Sequence, residues 1–185
     1  MCCLHTRSAL ALTPAASGHV HQSGQHKFAA DSQMSFQEVF NFSYGSLTSM
    51  LENLRNEFPD SDFIAALRRA GSRGGEQYGR DMAAGVPQAD LRTFTQWARE
   101  PDRFWQHVLT FEVIEDVENA LEVKVTECLW ARTFRSNDAA DIGYALVCHP
   151  DFTICRGFNP KIRMERTKTL MQGHDCCNHR WILEA

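Results

Sequence analysis

The run Gly173-His174-Asp175-Cys176-Cys177-Asn178-His179-Arg180-Trp181 gathers a carboxylate, paired thiols, imidazoles and a guanidinium just before an apolar end at Ile182-Leu183. Read as a strand, its side chains alternate, so Asp175, Cys177 and His179 share one face and His174, Cys176 and Arg180 the other. A thiol flanked by an imidazole and a carboxylate has what an activated nucleophile requires. The base takes the proton, the acid orients the base, and the thiolate attacks. A second cluster, Cys148-His149-x-Asp151, lies upstream.

Three chemistries fit these residue types. In the first, a cysteine nucleophile works with acid–base partners. A free thiol of pKa about 8.5 is little ionised at neutral pH and needs a nearby imidazolium, base or helix N-terminus. A well-placed general base contributes about 10²–10⁴-fold. In the second, Cys, His and Asp ligate a metal, although Cys-x2-Cys and His-x3-His spacings are absent and Cys148 would have to meet Cys177 in space. In the third, the thiols are small buried hydrophobes and His179 is a satisfied core imidazole. Spacing alone leaves all three open.

The elements that must position these residues divide the chain in two. Ser35-x-x-Glu38 is a capping box, and Phe36, Val39, Phe40, Leu47, Met50, Leu51, Leu54 and Phe58 recur at helical spacing up to Pro59, as a core-facing stripe. Asp60-Ser61-Asp62 caps a second helix that Gly71, Gly74 and Gly75 are expected to break before Tyr78 to Ala84 resumes it. Asp90 opens a third helix and Pro101 a short fourth. From Thr110 the period changes to two: Phe111-Glu112-Val113 and Leu121, Val123, Val125 form a hairpin about Glu118-Asn119. Ala139 to Val147 is a short apolar helix, Ile162 to Leu170 a strand, and Gly173 breaks the chain before the last strand. The fold class expected is α+β: N-terminal helices, then a mainly antiparallel sheet with an inserted helix. Residues 1–33, rich in Ala, Ser, Gly and His, form an expected disordered leader, and residues 34–185 a single hydrolase-like domain.

With 185 residues and a net charge of −4, the chain carries no signature of a nucleic-acid or anionic-membrane surface. No apolar run approaches the roughly 20 residues that cross a bilayer. The seven cysteines are odd in number, and no secretory signal precedes them, which points to reduced thiols and a cytoplasmic setting. No nucleotide or flavin fingerprint is present, so no organic cofactor is expected, and no residue is assigned as a metal ligand. The expected partner is a small-molecule substrate.

Asp141-Ile142-Gly143-Tyr144, Cys148-His149-Pro150-Asp151, Asn159-Pro160, Arg166-Thr167 and Leu170-Met171-x-Gly173-x-Asp175-x-Cys177 together resemble the L-2-amino-thiazoline-4-carboxylic acid hydrolase family. The likeness covers Met34 to Leu183 in organisation and is most specific from Glu127 to Trp181. It implies a small hydrolase that opens a cyclic isothiourea or amidine ring at a C–N bond, and it places Cys148, Asp151, Asp175 and Cys177 at the positions matching the family's motifs. On that basis the candidate catalytic residues are Cys177, His179, Asp175, Cys148 and Asp151. Arg180, Arg163, Asn159 and His174 are candidates for holding substrate, an arginine being suited to bidentate pairing with a carboxylate. The alternative is a non-catalytic small-ligand or metal-binding α+β module.

Overall fold

The computed structural model describes residues 34–59 and 62–184; the expected leader, residues 1–33, lies outside the described residues. Five helices come first: α1 (Phe36–Glu57), α2 (Phe63–Ala84), α3 (Leu91–Phe94), α4 (Gln96–Arg99) and α5 (Arg103–Val108). The hairpin β1 (Leu109–Val117) and β2 (Ala120–Cys128) follows. Next come α6 (Leu129–Ser136), α7 (Ala140–Gly143) continued by a π-helical turn (Tyr144–Cys148), and α8 (Asp151–Phe158). The chain ends with β3 (Ile162–Glu165), a 3-10 turn (Leu170–Gln172) and β4 (Cys177–Leu183). The fold is α+β. Among the described residues no helix is long and apolar enough to cross a membrane.

The four strands are all antiparallel, in the order β1-β2-β4-β3. Register sets Leu121 opposite Trp181, Val123 opposite His179 and Val125 opposite Cys177. Because side chains alternate, these pairs share the sheet face that receives the helices. Leu121, Val123, Val125 and Trp181 are buried there with Phe94, Phe158 and Ile162.

The capping box of α1 is formed: the Glu38 N–H donates to the Ser35 hydroxyl oxygen at 3.2 Å, and the Ser35 N–H donates to the Glu38 carboxylate at 2.7 Å. Its apolar stripe is not wholly core. Phe40 and Leu51 are buried, whereas Val39, Met50, Leu54 and Phe58 are exposed. A helix at the rim of a fold buries only the side that meets its neighbours, here chiefly α6.

Two further expectations are corrected. The glycines of α2 do not break it; the helix runs unbroken to Ala84. Gly71, Gly75 and Gly79, but not Gly74, are instead where Pro150 and its neighbours on either side press closest. A methyl at Gly75 would stand 2.7 Å from the Thr153 hydroxyl oxygen, and one at Gly79 would run into the Ile154 carbonyl. The inserted helix expected from Ala139 to Val147 is present as α7 with its π-helical turn, flanked by α6 and α8. The strand expected from Ile162 to Leu170 stops at Glu165, and the chain turns through Leu170–Gln172 into Gly173, whose φ of 90° suits a residue without Cβ.

Candidate functional site

Between the helices and the sheet face lies a cavity of about 380 Å³. Its apolar wall is aromatic: Tyr44, Tyr78, Phe94, Trp97, Trp105, Trp130 and Trp181, with Met82. The same cavity is lined by Cys128, Cys148, Asp151, Arg166, Cys177 and His179. Three routes bring these polar groups together. Alternation along β4 puts Cys177, His179 and Trp181 on one face. The π-helical turn, in which the His149 N–H donates to the Tyr144 carbonyl at 2.7 Å, leads directly from Cys148 into α8 and Asp151. Arg166 enters from the loop after β3.

Arg166 organises the cluster. Its side chain is 1% exposed, donating to the Asp151 carboxylate at 2.7 Å and to the Cys148 carbonyl oxygen at 2.7 Å. The guanidinium carbon lies 4.9 Å from the Phe152 ring centroid and 5.7 Å from that of Tyr144, so aromatic faces stabilise the buried charge. One guanidinium N–H also approaches His179 Nε2, at 3.4 Å. Since a guanidinium only donates, Nε2 is the acceptor, and the proton of the neutral ring belongs on Nδ1.

Burial and this arginine decide the protonation states. Burial pushes the Asp151 carboxyl up to about 6, against the pull of Arg166. Burial, and then the charge of Arg166, bring His179 down to about 3, so the ring is neutral at pH 7. Burial lifts the Cys128 thiol to about 11, and burial with the Asp151 carboxylate lifts Cys148 well above the usual thiol range. Cys177 is also raised by burial, but two groups favour its thiolate: the Leu170 N–H, 3.2 Å from Sγ, and the positive charge of Arg166.

The cavity thus gathers Cys148, Asp151, Cys177 and His179 of the sequence candidates. The others lie elsewhere. Asp175 precedes β4, which begins only where Cys177 pairs with Val125, so it does not share the strand face of Cys177. Its side chain is 72% exposed and bound to Lys168 at 3.0 Å, which holds the carboxyl below its usual range. His174 accepts the Thr169 N–H at 3.2 Å, tying the turn before β4. Arg180 is on the opposite sheet face, 2.8 Å from Glu115 and 3.5 Å from Glu165. Arg163 pairs with Glu165 and, at 2.8 Å, with Glu184. Asn159 is a brace, donating to the Ala89 carbonyl at 2.7 Å and accepting the Lys161 N–H at 2.9 Å.

Arg166, quoted only within a family-like segment, and Cys128 are polar lining groups that were not among the sequence candidates. The expected strand ran through Arg166 to Leu170, and a charged residue there has every expectation of facing water. Among the described residues no group of three or more His, Cys, Asp or Glu is arranged to hold a metal ion.

The family model for L-2-amino-thiazoline-4-carboxylic acid hydrolase matches residues 39–181. No curated protein matches the sequence. Among solved structures, the phenol-responsive sensory domain of the transcription activator PoxR with phenol aligns at a TM-score of 0.50 and 11% identity, over 75% of this chain and 73% of that one. A trafficking protein particle complex subunit 3 from Naegleria fowleri, covalently bound to palmitic acid, aligns at a TM-score of 0.47 and 13% identity, over 80% of this chain and 95% of that one. At such identities the PoxR domain speaks for the fold alone.

Proposed function

Because the chain belongs to the L-2-amino-thiazoline-4-carboxylic acid hydrolase family, we propose that it hydrolyses a C–N bond of a small cyclic amidine or isothiourea, with the aromatic cavity as its site. The observation that carries this reading is the meeting of Cys148, Asp151, Arg166, Cys177 and His179 on one cavity. Cys177 is the proposed nucleophile, being the lining thiol whose anion a backbone N–H and the Arg166 charge both favour. Asp151, with a carboxyl near 6, is the proposed proton carrier, since acid–base groups work best with a pKa close to the operating pH. His179, neutral and approached at Nε2 by Arg166, is the proposed positioning residue for that guanidinium.

In this scheme the thiol proton passes to the substrate nitrogen, giving a thiolate beside an amidinium, and sulfur adds to the amidine carbon. The ring C–N bond then breaks, and the nitrogen leaves as an amine with a proton from Asp151. Water adds to the same carbon, returning one of its protons to Asp151 and the other to Cys177, which departs as the thiol and leaves the oxygen as a carbonyl. Such a thiol works reduced, as the described cysteines Cys128, Cys148, Cys155, Cys176 and Cys177 all are, which suits a cytoplasmic setting.

A second reading has its own support. The cavity thiols are all raised, so none is a resting thiolate, and a solved domain of like fold holds phenol. That favours a binding module without turnover. The test is ring opening of 2-aminothiazoline compounds, followed by mass spectrometry, with Cys177→Ser, Cys148→Ser and Cys128→Ser. Cys177→Ser should lose nearly all turnover and keep binding, whereas Cys128→Ser should keep both. Loss on Cys148→Ser alone would exchange the roles of the two thiols. Saturable binding with no turnover in the wild type would establish the binding module.

A further inference from the structure

We infer that the ligand of this cavity carries no carboxylate and is an apolar, ring-bearing cyclic amidine; the amidine part of this rests on the hydrolase reading above. The first observation is a count of charge. Among the described residues, Arg166 is the only lysine or arginine that lines the cavity. Its guanidinium is already engaged with the Asp151 carboxylate and the Cys148 carbonyl, and Phe152 and Tyr144 stand against it. Arg180 and Arg163, which would suit a substrate carboxylate, are paired with glutamates and line no part of it. A carboxylate entering the cavity would therefore lose its hydration, gain no cation and face Asp151. With Arg166 and Asp151 neutralising each other, the lining holds no spare positive charge for an acid.

The second observation is the wall. Tyr44, Tyr78, Trp97, Trp105, Trp130 and Trp181 surround the space, with Trp97 packed 4.9 Å from Trp105 and edge-on to Trp181 at 5.8 Å. Aromatic faces bind planar rings by stacking and cations through the ring quadrupole. The third is size. At about 380 Å³ the cavity is in the range that takes drug-sized ligands, about 300–1,000 Å³, more space than a thiazoline ring with one carboxylate fills. A 2-amino-thiazoline with an aryl or alkyl group in place of the carboxylate meets all three conditions. Its amidinium faces Asp151, and its apolar group lies against the tryptophans.

The experiment compares 2-amino-4-phenyl-thiazoline with 2-amino-thiazoline-4-carboxylate on the full chain, by tryptophan fluorescence titration and by ring opening. The phenyl compound should bind at least about tenfold more tightly. Tyr78→Ala, at a residue 58% exposed, should weaken the phenyl compound several-fold and the carboxylate clearly less. Equal or tighter binding of the carboxylate, an equal loss of both in Tyr78→Ala, or binding of neither, would overturn the inference. Ring opening of the carboxylate without binding of the phenyl compound would also overturn it, while leaving the hydrolase reading intact. Tight binding of the phenyl compound without ring opening would uphold the apolar ligand class and remove the hydrolase.

Discussion

Replacing Arg166 by Met should turn the best-satisfied charge in the cavity into its worst defect. The substitution keeps much of the side-chain volume but strips Asp151 of its guanidinium partner and leaves the Cys148 carbonyl without that donor. Breaking one side of a buried ion pair costs about 3–5 kcal/mol, and the 33% exposure of the Asp151 side chain moves the expectation to the lower end, about 3 kcal/mol. Against a whole-domain stability of about 5–15 kcal/mol that is a large loss. Urea unfolding at pH 7.5 measures it.

The pH dependence supplies the check. The folded-state pKa of Asp151 is about 6 even with Arg166 present, above the roughly 3.9 of an unfolded aspartate, and rises further without the arginine. A carboxyl raised in the folded state contributes most stability below its unfolded pKa, and that contribution is lost as pH climbs through the folded value. The deficit of Arg166→Met should therefore shrink between pH 7.5 and 5. Adding Asp151→Asn should recover about 2 kcal/mol at pH 7.5 by removing the stranded charge. A deficit under about 1 kcal/mol, or one unchanged from pH 5 to 8, would mean that water screens the pair and would refute the reasoning.

Two further outcomes are expected. Gly79→Ala should cost about 2 kcal/mol, because its methyl would stand 2.7 Å from the Phe158 nitrogen and against the Ile154 carbonyl; Gly74→Ala, with nothing within 4 Å, should gain about 0.5–1 kcal/mol, and calorimetry separates the two. Iodoacetamide labelling of Cys128 and Cys148, followed by peptide mass mapping, should be slow at pH 7 and climb steadily up to pH 10, as raised thiols require, whereas a rapid phase at either at pH 7 would contradict their burial.

What could be read from the sequence was what neighbours in the chain decide. The Ser35–Glu38 box and the alternation of Leu121, Val123 and Val125 are local, and both are present in the fold. The face shared by Cys177 and His179 was legible for the same reason, but Asp175 was not. Where β4 begins depends on pairing with Val125, a contact with a residue far away in the sequence. The unbroken α2 was hidden because a glycine's helix penalty of about 1 kcal/mol is outweighed by close packing on α8, which no window of α2 contains. Arg166 was hidden because burial of a guanidinium is decided by Asp151, Phe152 and Tyr144, all supplied by another part of the chain.

The glycine contact between α2 and α8 also bears on how this cavity could be retailored. Gly75 and Gly79 hold α8, and with it Asp151, at a separation that no larger residue allows without moving backbone. Tyr78 and Met82, three positions on from each, face the cavity from the same helix and carry no part of the ionic cluster. Fixed spacing and variable lining are thus interleaved on one helix. A library randomised at Tyr78, Met82 and Trp105 would sample new ligand shapes while the distance from Asp151 to β4 stayed constant, so selectivity here can drift without the ionic machinery being rebuilt.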